Sequence, residues 1–199
     1  FNYFNSNQNI KKQIRKKYNI PMNATIILFL GRLNRDKGIL DLIKVFENLV
    51  KKNNFKSLYL FIVGPDEIDI QKYINNSINS FIRLESYTSK PQEFMSASDI
   101  FCLPSYREGF GMSAIEAGAC NLPVVCSRIY GLTDAVEENI TGLMHEPGNI
   151  QQIEDCLKEL ILDPELRSRM GENGNLRCRK LYNQKQVVNN FISYIDKVV

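Results

Sequence analysis

Two glutamates bracket a glycine-rich turn in PSYREGFGMSAIEA, residues 104–117: Glu108 stands before it and Glu116 about one turn into the helix that follows. Gly109 and Gly111 let the backbone come close to a ligand. The first N–H groups of a helix opening near Met112 have no intrahelical partner, and with the helix dipole they favour an anion such as a phosphate. Helical side chains lean toward the N-terminus, so Glu116 reaches back to the mouth of the turn. A second stretch, LGRLNRDKGI, places Arg32 directly after an apolar strand and Lys37 just before the glycine that opens the next helix. A carboxylate beside a bound phosphate is unfavourable unless it accepts hydrogen bonds from neutral groups of the same ligand. Hydroxyls do this, at roughly 1.5–3 kcal/mol for a bond to a charged acceptor. One glutamate for a ribose, one for a second sugar, and a diphosphate held over the glycines by two cations describe a nucleotide-diphosphate-sugar. Singly, each residue reads better as a surface charge, a helix cap or an intrahelical ion pair. Their combination carries the argument.

These loops need a scaffold that brings them together. ATIILFLG is a short continuous apolar run, followed by GILDLIKVFENLVKK with Ile39, Leu42, Ile43, Phe46, Leu49 and Val50 at helical spacing. The pattern recurs: LYLFIVG then IDIQKYINNSI, FIRLES then PQEFMSAS, DIFCLPS then GMSAIEAGAC, and PVVCS then a short piece at 133–136. GLMHEP supplies a last strand, and the chain from about Asn149 is expected to be helical in three pieces, broken at Asp163-Pro164 and near Asn183. Strands that are apolar throughout and alternate with helices predict an α/β fold, a doubly wound, Rossmann-like parallel sheet covered on both faces. Ligands of such sheets lie at the carboxyl ends of the strands.

Composition narrows the rest. The 199 residues are 44% hydrophobic and 24% charged with a net charge of +3, an ordinary globular balance that gives no concentrated basic field for nucleic acid. No apolar run approaches the ~20 residues of a membrane span. The basic run KKQIRKK is expected to be a solvated helix face, and five cysteines without CxxC spacing suggest reduced thiols in a cytoplasmic protein. Asp66, Glu67 and Asp69 in DEID are expected to complement the start of a helix rather than bind metal, and the single histidine, His145, to pack near its turn. The chain opens FNYFNSNQN without an initiator Met or a signal-like apolar stretch, which suggests a piece of a longer chain.

The motifs GRLNRDKG, EGFGMSAIE, PVVCS and TGLMHEPGN, in this order over about residues 25–182, resemble the C-terminal, donor-binding half of a GT-B-fold retaining glycosyltransferase of family 4 (glycosyltransferase group 1). The resemblance implies that Arg32 and Lys37 stabilise the departing nucleoside diphosphate, that Glu108 binds hydroxyls of the transferred sugar and that Glu116 binds the ribose diol. Gly31, Gly109, Phe110, Gly111, Met112 and Ser113 would line the donor through their backbone, with the Ser113 hydroxyl a further donor. Tyr87 and Thr88 fall where such enzymes hold the nucleobase. Residues 1–24 would form the interdomain connection and first helix, 25–182 the nucleotide-sugar-binding domain, and 183–199 a helix returning toward an N-terminal acceptor-binding domain.

The implied reaction is hexosyl or N-acetylhexosaminyl transfer from a nucleotide-sugar, UDP-linked by preference, without metal or other cofactor. The acceptor would be a saccharide or a lipid-linked saccharide at the inner membrane face, in polysaccharide biosynthesis, and this chain alone would bind donor without efficient transfer. The sequence departs from the family pattern at Asn121, where a glycine is usual, and in IYGLTDAV, where Asp134 replaces a glutamate after a Gly-Gly loop. A GT-B-like sugar-nucleotide epimerase and a non-catalytic nucleotide-sugar-binding regulatory module are the competing readings; a phosphorylase would need a pyridoxal phosphate lysine for which no motif is seen.

Overall fold

The structure, a computed structural model, describes residues 4, 6–52, 55, 57–182, 188 and 191–195. Six parallel strands run β1 (Thr25–Leu30), β2 (Leu58–Val63), β3 (Ile82–Glu85), β4 (Ile100–Leu103), β5 (Val124–Ser127) and β6 (Gly142–His145). The α-helices that accompany them are α1 (Gln8–Lys17), α2 (Ile39–Lys51), α3 (Pro91–Ala97), α4 (Met112–Ala119), α5 (Leu132–Ala135), α6 (Ile150–Leu162) and α7 (Pro164–Leu181), with further helical residues at 188 and 191–195. Every residue of β4, β5 and β6 is buried. This is why these strands read as unbroken apolar runs rather than alternating ones.

The sheet order is β3-β2-β1-β4-β5-β6, the doubly wound order expected of a Rossmann-like domain. β1 pairs with β2 on one side and β4 on the other, with Ile27 opposite Ile100 and Leu28 opposite Phe101. The chain therefore reverses its winding between β1 and β4, and a crevice opens above their carboxyl ends. Those two ends lead into LGRLNRDKGI and PSYREGFGMSAIEA, so the two loops chosen for their chemistry flank the switch point.

Helices cover both faces. α2 buries Ile39, Leu42, Ile43, Val45, Phe46 and Leu49 and packs against α6. α4 packs on α7 through Gly118 and Gly174, where a Cβ on Gly174 would stand 3.2 Å from the Gly118 Cα. The break at 163–164 is a cap: the Asp163 side chain accepts the Leu166 N–H, and Pro164 occupies the first helical position. The expected third helical piece lies partly outside the described residues; 188 and 191–195 are helical, and the expected break near Asn183 lies outside.

Two expectations fail. IDIQKYINNSI does not form an α-helix; it makes a 3₁₀ turn, Ile70–Tyr73, entered through Asp69 at φ 57° and closed by Asp66, which accepts the Ile68 and Ile70 N–H groups. Local side-chain acceptors outcompete helix propagation here. KKQIRKK is a helix but not a wholly solvated face, because Arg15 is fully buried. Its guanidinium donates to the carbonyls of Ala97, Met22 and Ala24 and pairs with Asp99 at 2.7 Å, while Lys11 meets the other Asp99 oxygen at 2.9 Å. Asp99 also accepts the Ile26 N–H at the start of β1, so this network ties α1 to the sheet. The Asn121 departure has a local reason: its φ is 62°, the left-handed region a glycine would occupy and that Asn tolerates.

Candidate functional site

The loops at the switch point are held together by a close backbone approach. Gly38, which follows the 3₁₀ turn Arg35–Lys37, has φ 68°, and a Cβ there would stand 1.9 Å from the Pro104 carbonyl oxygen after β4. The Asn34 side chain accepts the Lys37 N–H at 3.1 Å and caps that turn. Lys37 is thereby directed across the crevice, and its Nζ lies 2.5 Å from Glu108 Oε1. The Ser105 hydroxyl donates to the same carboxylate oxygen at 3.3 Å. Glu108 is thus not an exposed loop charge.

Arg32 takes another direction. Its guanidinium is exposed and meets Glu67 Oε1 at 3.3 Å, while the Asn34 amide donates to Glu67 Oε2 at 2.8 Å. The two cations share a loop, yet their head groups go to different carboxylates. Sequence reasoning placed Glu67 in an acidic helix start; its position just past β2, the strand beside β1, was the signal for its place near Arg32. Asp66 holds backbone N–H groups and Asp69 pairs with Lys72, so the three acids of DEID diverge. Among the described residues no three His, Cys, Asp or Glu side chains gather into a metal-sized group.

Gly111 caps α4 at φ 64°, where a Cβ would meet Leu132 Cδ2 at 2.7 Å. The place of a Gly109 Cβ is empty to 4 Å, so the turn is open on that side. Glu116, on α4, is half-buried, and no described group donates a hydrogen bond to its carboxylate. Burial pushes its carboxyl above the ordinary value. A partly desolvated carboxylate with no described donor, on the helix that follows the glycine turn, is a ready acceptor for hydroxyl donors. Phe110 is exposed and meets the Tyr182 ring edge-on at 5.9 Å, Met112 is exposed, and Ser113 is half-buried. Gly31 follows β1, and its carbonyl oxygen is 1.9 Å from where a Gly64 Cβ would lie, so the β1 and β2 ends are tightly joined.

Tyr87 and Thr88 follow β3, two strands from β1. Tyr87 is 75% exposed and Thr88 caps a turn by accepting the Lys90 N–H, so the structure leaves them at the outer side of the crevice. The IYGLTDAV loop, by contrast, closes on the glycine turn: Gly131 has φ 88°, and its Cβ would lie 2.6 Å from the Gly109 carbonyl oxygen. Tyr130 there is 82% exposed. His145 is buried with Nδ1 2.9 Å from the Glu146 carbonyl, and burial lowers its pKa, which fits packing at its turn. A hollow of about 280 Å³ containing Lys11, Asp99 and Arg167 opens at the amino ends of the strands, away from these loops.

Comparison with known proteins gives this geometry a context. The chain matches the family described as "Glycosyl transferases group 1" over residues 10–177. It is 32% identical over 178 residues to the capsular polysaccharide biosynthesis glycosyltransferase CapM of Staphylococcus aureus, covering 87% of this chain and 46% of that protein. The chain spans about half the length of the curated relatives it matches. The solved C-terminal domain of a glycosyl transferase group 1 family protein, LpcC of Francisella tularensis, superposes with a TM-score of 0.79 at 24% identity, covering 92% of this chain and 97% of that one. Anabaena HepE, in complex with UDP and glucose, superposes with a TM-score of 0.84 at 18% identity, covering 96% of this chain and 54% of that one. No helix among the described residues is long and apolar enough to cross a membrane. With the family matched along most of its length and the doubly wound fold in place, this chain belongs to the group 1 glycosyl transferases.

Proposed function

We propose that this chain is the donor-binding domain of a retaining glycosyltransferase that uses a nucleotide-diphosphate-sugar. The observation that carries the reading is the Lys37–Glu108 pair, 2.5 Å apart at the switch point beside the open Gly109 turn. A donor diphosphate entering the crevice offers Lys37 a stronger partner than one carboxylate, and releases Glu108 to accept hydroxyls of the transferred sugar. Glu116, which lacks a donor, accepts the ribose diol. The N-terminus of α4 and the exposed Arg32 complete the positive surroundings of the phosphates.

The chemistry follows from where charge develops. As the bond from the anomeric carbon to the diphosphate oxygen breaks, negative charge grows on the leaving group, and fixed cations and N–H donors stabilise it. The acceptor hydroxyl oxygen attacks from the same face as its proton passes to the departing diphosphate oxygen, so configuration is retained. In this reading the cationic side chains meet the diphosphate charge without a metal. A UDP-linked hexose or N-acetylhexosamine is the favoured donor, supported by the neighbour solved with UDP and glucose. The acceptor is a saccharide or lipid-linked saccharide in polysaccharide biosynthesis, supported by the similarity to CapM, a capsular polysaccharide biosynthesis glycosyltransferase. An N-terminal domain of the full protein binds that acceptor, and enzyme activity belongs to the two together at the cytoplasmic membrane face. Tyr87 and Thr88 serve the base only if the nucleotide lies extended toward β3.

The test is ligand-detected NMR with UDP-, GDP- and dTDP-sugars on wild type and Glu116→Ala, followed by turnover of the full-length enzyme. Selective binding of one donor that disappears in the variant supports the reading. A donor that binds equally to both removes Glu116 from the site, and full-length enzyme with neither donor binding nor sugar transfer overturns the proposal.

A further inference from the structure

A pocket of about 410 Å³ opens between the turn Arg35–Lys37 and the segment after β4, lined by Arg35, Asp36, Leu40, Asp41, Tyr106 and Arg107. It shares none of its lining side chains with the donor residues named above, yet it adjoins them. Gly38 in its wall follows Lys37, and Arg107 precedes Glu108.

The pocket is built rather than incidental. The Tyr106 N–H donates to the Asp36 carbonyl at 2.7 Å and joins the two walls. The Tyr106 hydroxyl donates to Asp41 at 2.6 Å, and Gly148, at φ 73°, allows that hydroxyl to approach, since a Cβ there would be 2.8 Å away. Tyr106 is held by two hydrogen bonds and lines the pocket. Asp41 is engaged by it. Among the described residues no hydrogen bond or ion pair occupies the guanidinium of Arg35, that of Arg107, or the Asp36 carboxylate.

Two exposed guanidinium groups, Arg35 on one wall and Arg107 on the other, with the Asp36 carboxylate beside Arg35, select a ligand. A bare anion would face Asp36, and a neutral sugar would leave both cations unused. A sugar that carries one oxyanion group and several hydroxyls satisfies all three, because guanidinium forks match carboxylate and phosphate oxygens. We propose that this pocket binds a saccharide bearing a carboxylate or phosphate group, the oxyanion on Arg35 and Arg107, hydroxyls on Asp36 and the ring against Tyr106. Beside the Lys37–Glu108 pair it serves as an additional subsite for the acidic group of an acceptor held mainly by the N-terminal domain. That role rests on the glycosyltransferase reading, whereas the binding itself does not.

The test is an amide-detected NMR titration of the chain with glucuronate, glucose 6-phosphate, glucose and inorganic phosphate, with and without UDP, in about 0.1 M salt to suppress weak surface pairing. At least one acidic sugar binds about tenfold tighter than glucose and inorganic phosphate, equivalent to about 1.4 kcal/mol. Its shifts centre on Tyr106 and Arg107, persist in UDP, and its affinity falls about tenfold or more in Arg107→Ala and in Arg35→Ala. Preference for glucuronate assigns a carboxylate, preference for glucose 6-phosphate a phosphate. Equal binding of glucose, displacement by UDP, or unchanged affinity in both variants overturns the proposal. UDP affinity in wild type and Glu116→Ala judges the donor site separately, so either site can fail while the other stands.

Discussion

Lys37 Nζ and Glu108 Oε1 are 2.5 Å apart although 71 positions separate the residues, and only 18% and 12% of the two side chains remain accessible. The contact exists because β1 and β4 are neighbours in the sheet and each loop leaves its strand into the same crevice. Loss of the cation leaves a largely shielded carboxylate alone. In the full-length enzyme, Lys37→Met is expected to lower kcat by about 10²–10³, the usual effect of removing one group that stabilises developing charge. The Tm should also fall by several degrees, because removing one partner of a largely shielded pair strands the other charge. Calorimetry alongside product formation separates the effects, and wild-type turnover would exclude Lys37 from the leaving-group site.

Glu116 is expected to trade stability for binding. Burial raises its carboxyl pKa in the fold above the unfolded value. The folded state therefore holds the proton more tightly, and the cost of the charged form grows as pH rises from the unfolded pKa through the folded one. Glu116→Gln should raise the Tm at neutral pH by roughly 1–3 °C, a gain that shrinks as pH falls toward 4.5, the ordinary Glu value. The same variant should bind nucleotide-sugar more weakly. A lower Tm at neutral pH would show that the carboxylate has a partner in solution.

Arg15 should matter to the fold rather than to ligand. Its guanidinium is buried among the carbonyls of Ala97, Met22 and Ala24 and pairs with Asp99. Arg15→Met leaves those carbonyls unsatisfied and should cost about 3–5 kcal/mol in urea unfolding. Donor affinity of the folded fraction should be unchanged, as Asp99 lies at the amino end of β4 while the candidate site lies at the carboxyl end.

Gly38 is expected to be intolerant of any side chain. Its φ of 68° is strained for other residues, and a Cβ would stand 1.9 Å from the Pro104 carbonyl oxygen. Gly38→Ala should lower stability by about 2 kcal/mol or more. It should also separate the loops that carry Lys37 and Glu108, so donor affinity falls with it. A variant that keeps wild-type Tm and donor affinity would show that the two loops can separate without consequence.

The five thiols should be quiet in the native state. Burial pushes Cys120 and Cys126 up to about 12 and Cys156 and Cys178 up to about 11, and raises Cys102 well above its ordinary value. Thiolates are the reactive form. A disulfide reagent at pH 8 should react slowly with native protein and rapidly with all five thiols in denaturant. Fast labelling of one cysteine in the native state would mark a site that opens.

The alternation of fully apolar strands with amphipathic helices was enough, from sequence alone, to specify a parallel doubly wound sheet, because strands buried on both faces leave no polar alternation. The glycine turn and the helix carrying Glu116 were equally legible, since spacing along one element determines them. The run IDIQKYINNSI was misread because Asp66 captures N–H groups that a helix would need, a contact with no periodic signal. Arg15 looked like one cation in a basic run; its burial depends on carbonyls of the 21–24 segment and the end of α3. The pairing of Lys37 with Glu108, of Arg32 with Glu67, and the pocket between Arg35 and Arg107 all arise where strands distant in sequence become neighbours. Local spacing dictates what each loop can bind, whereas strand order decides which loops face one another, and that order is settled only when the whole sheet is buried.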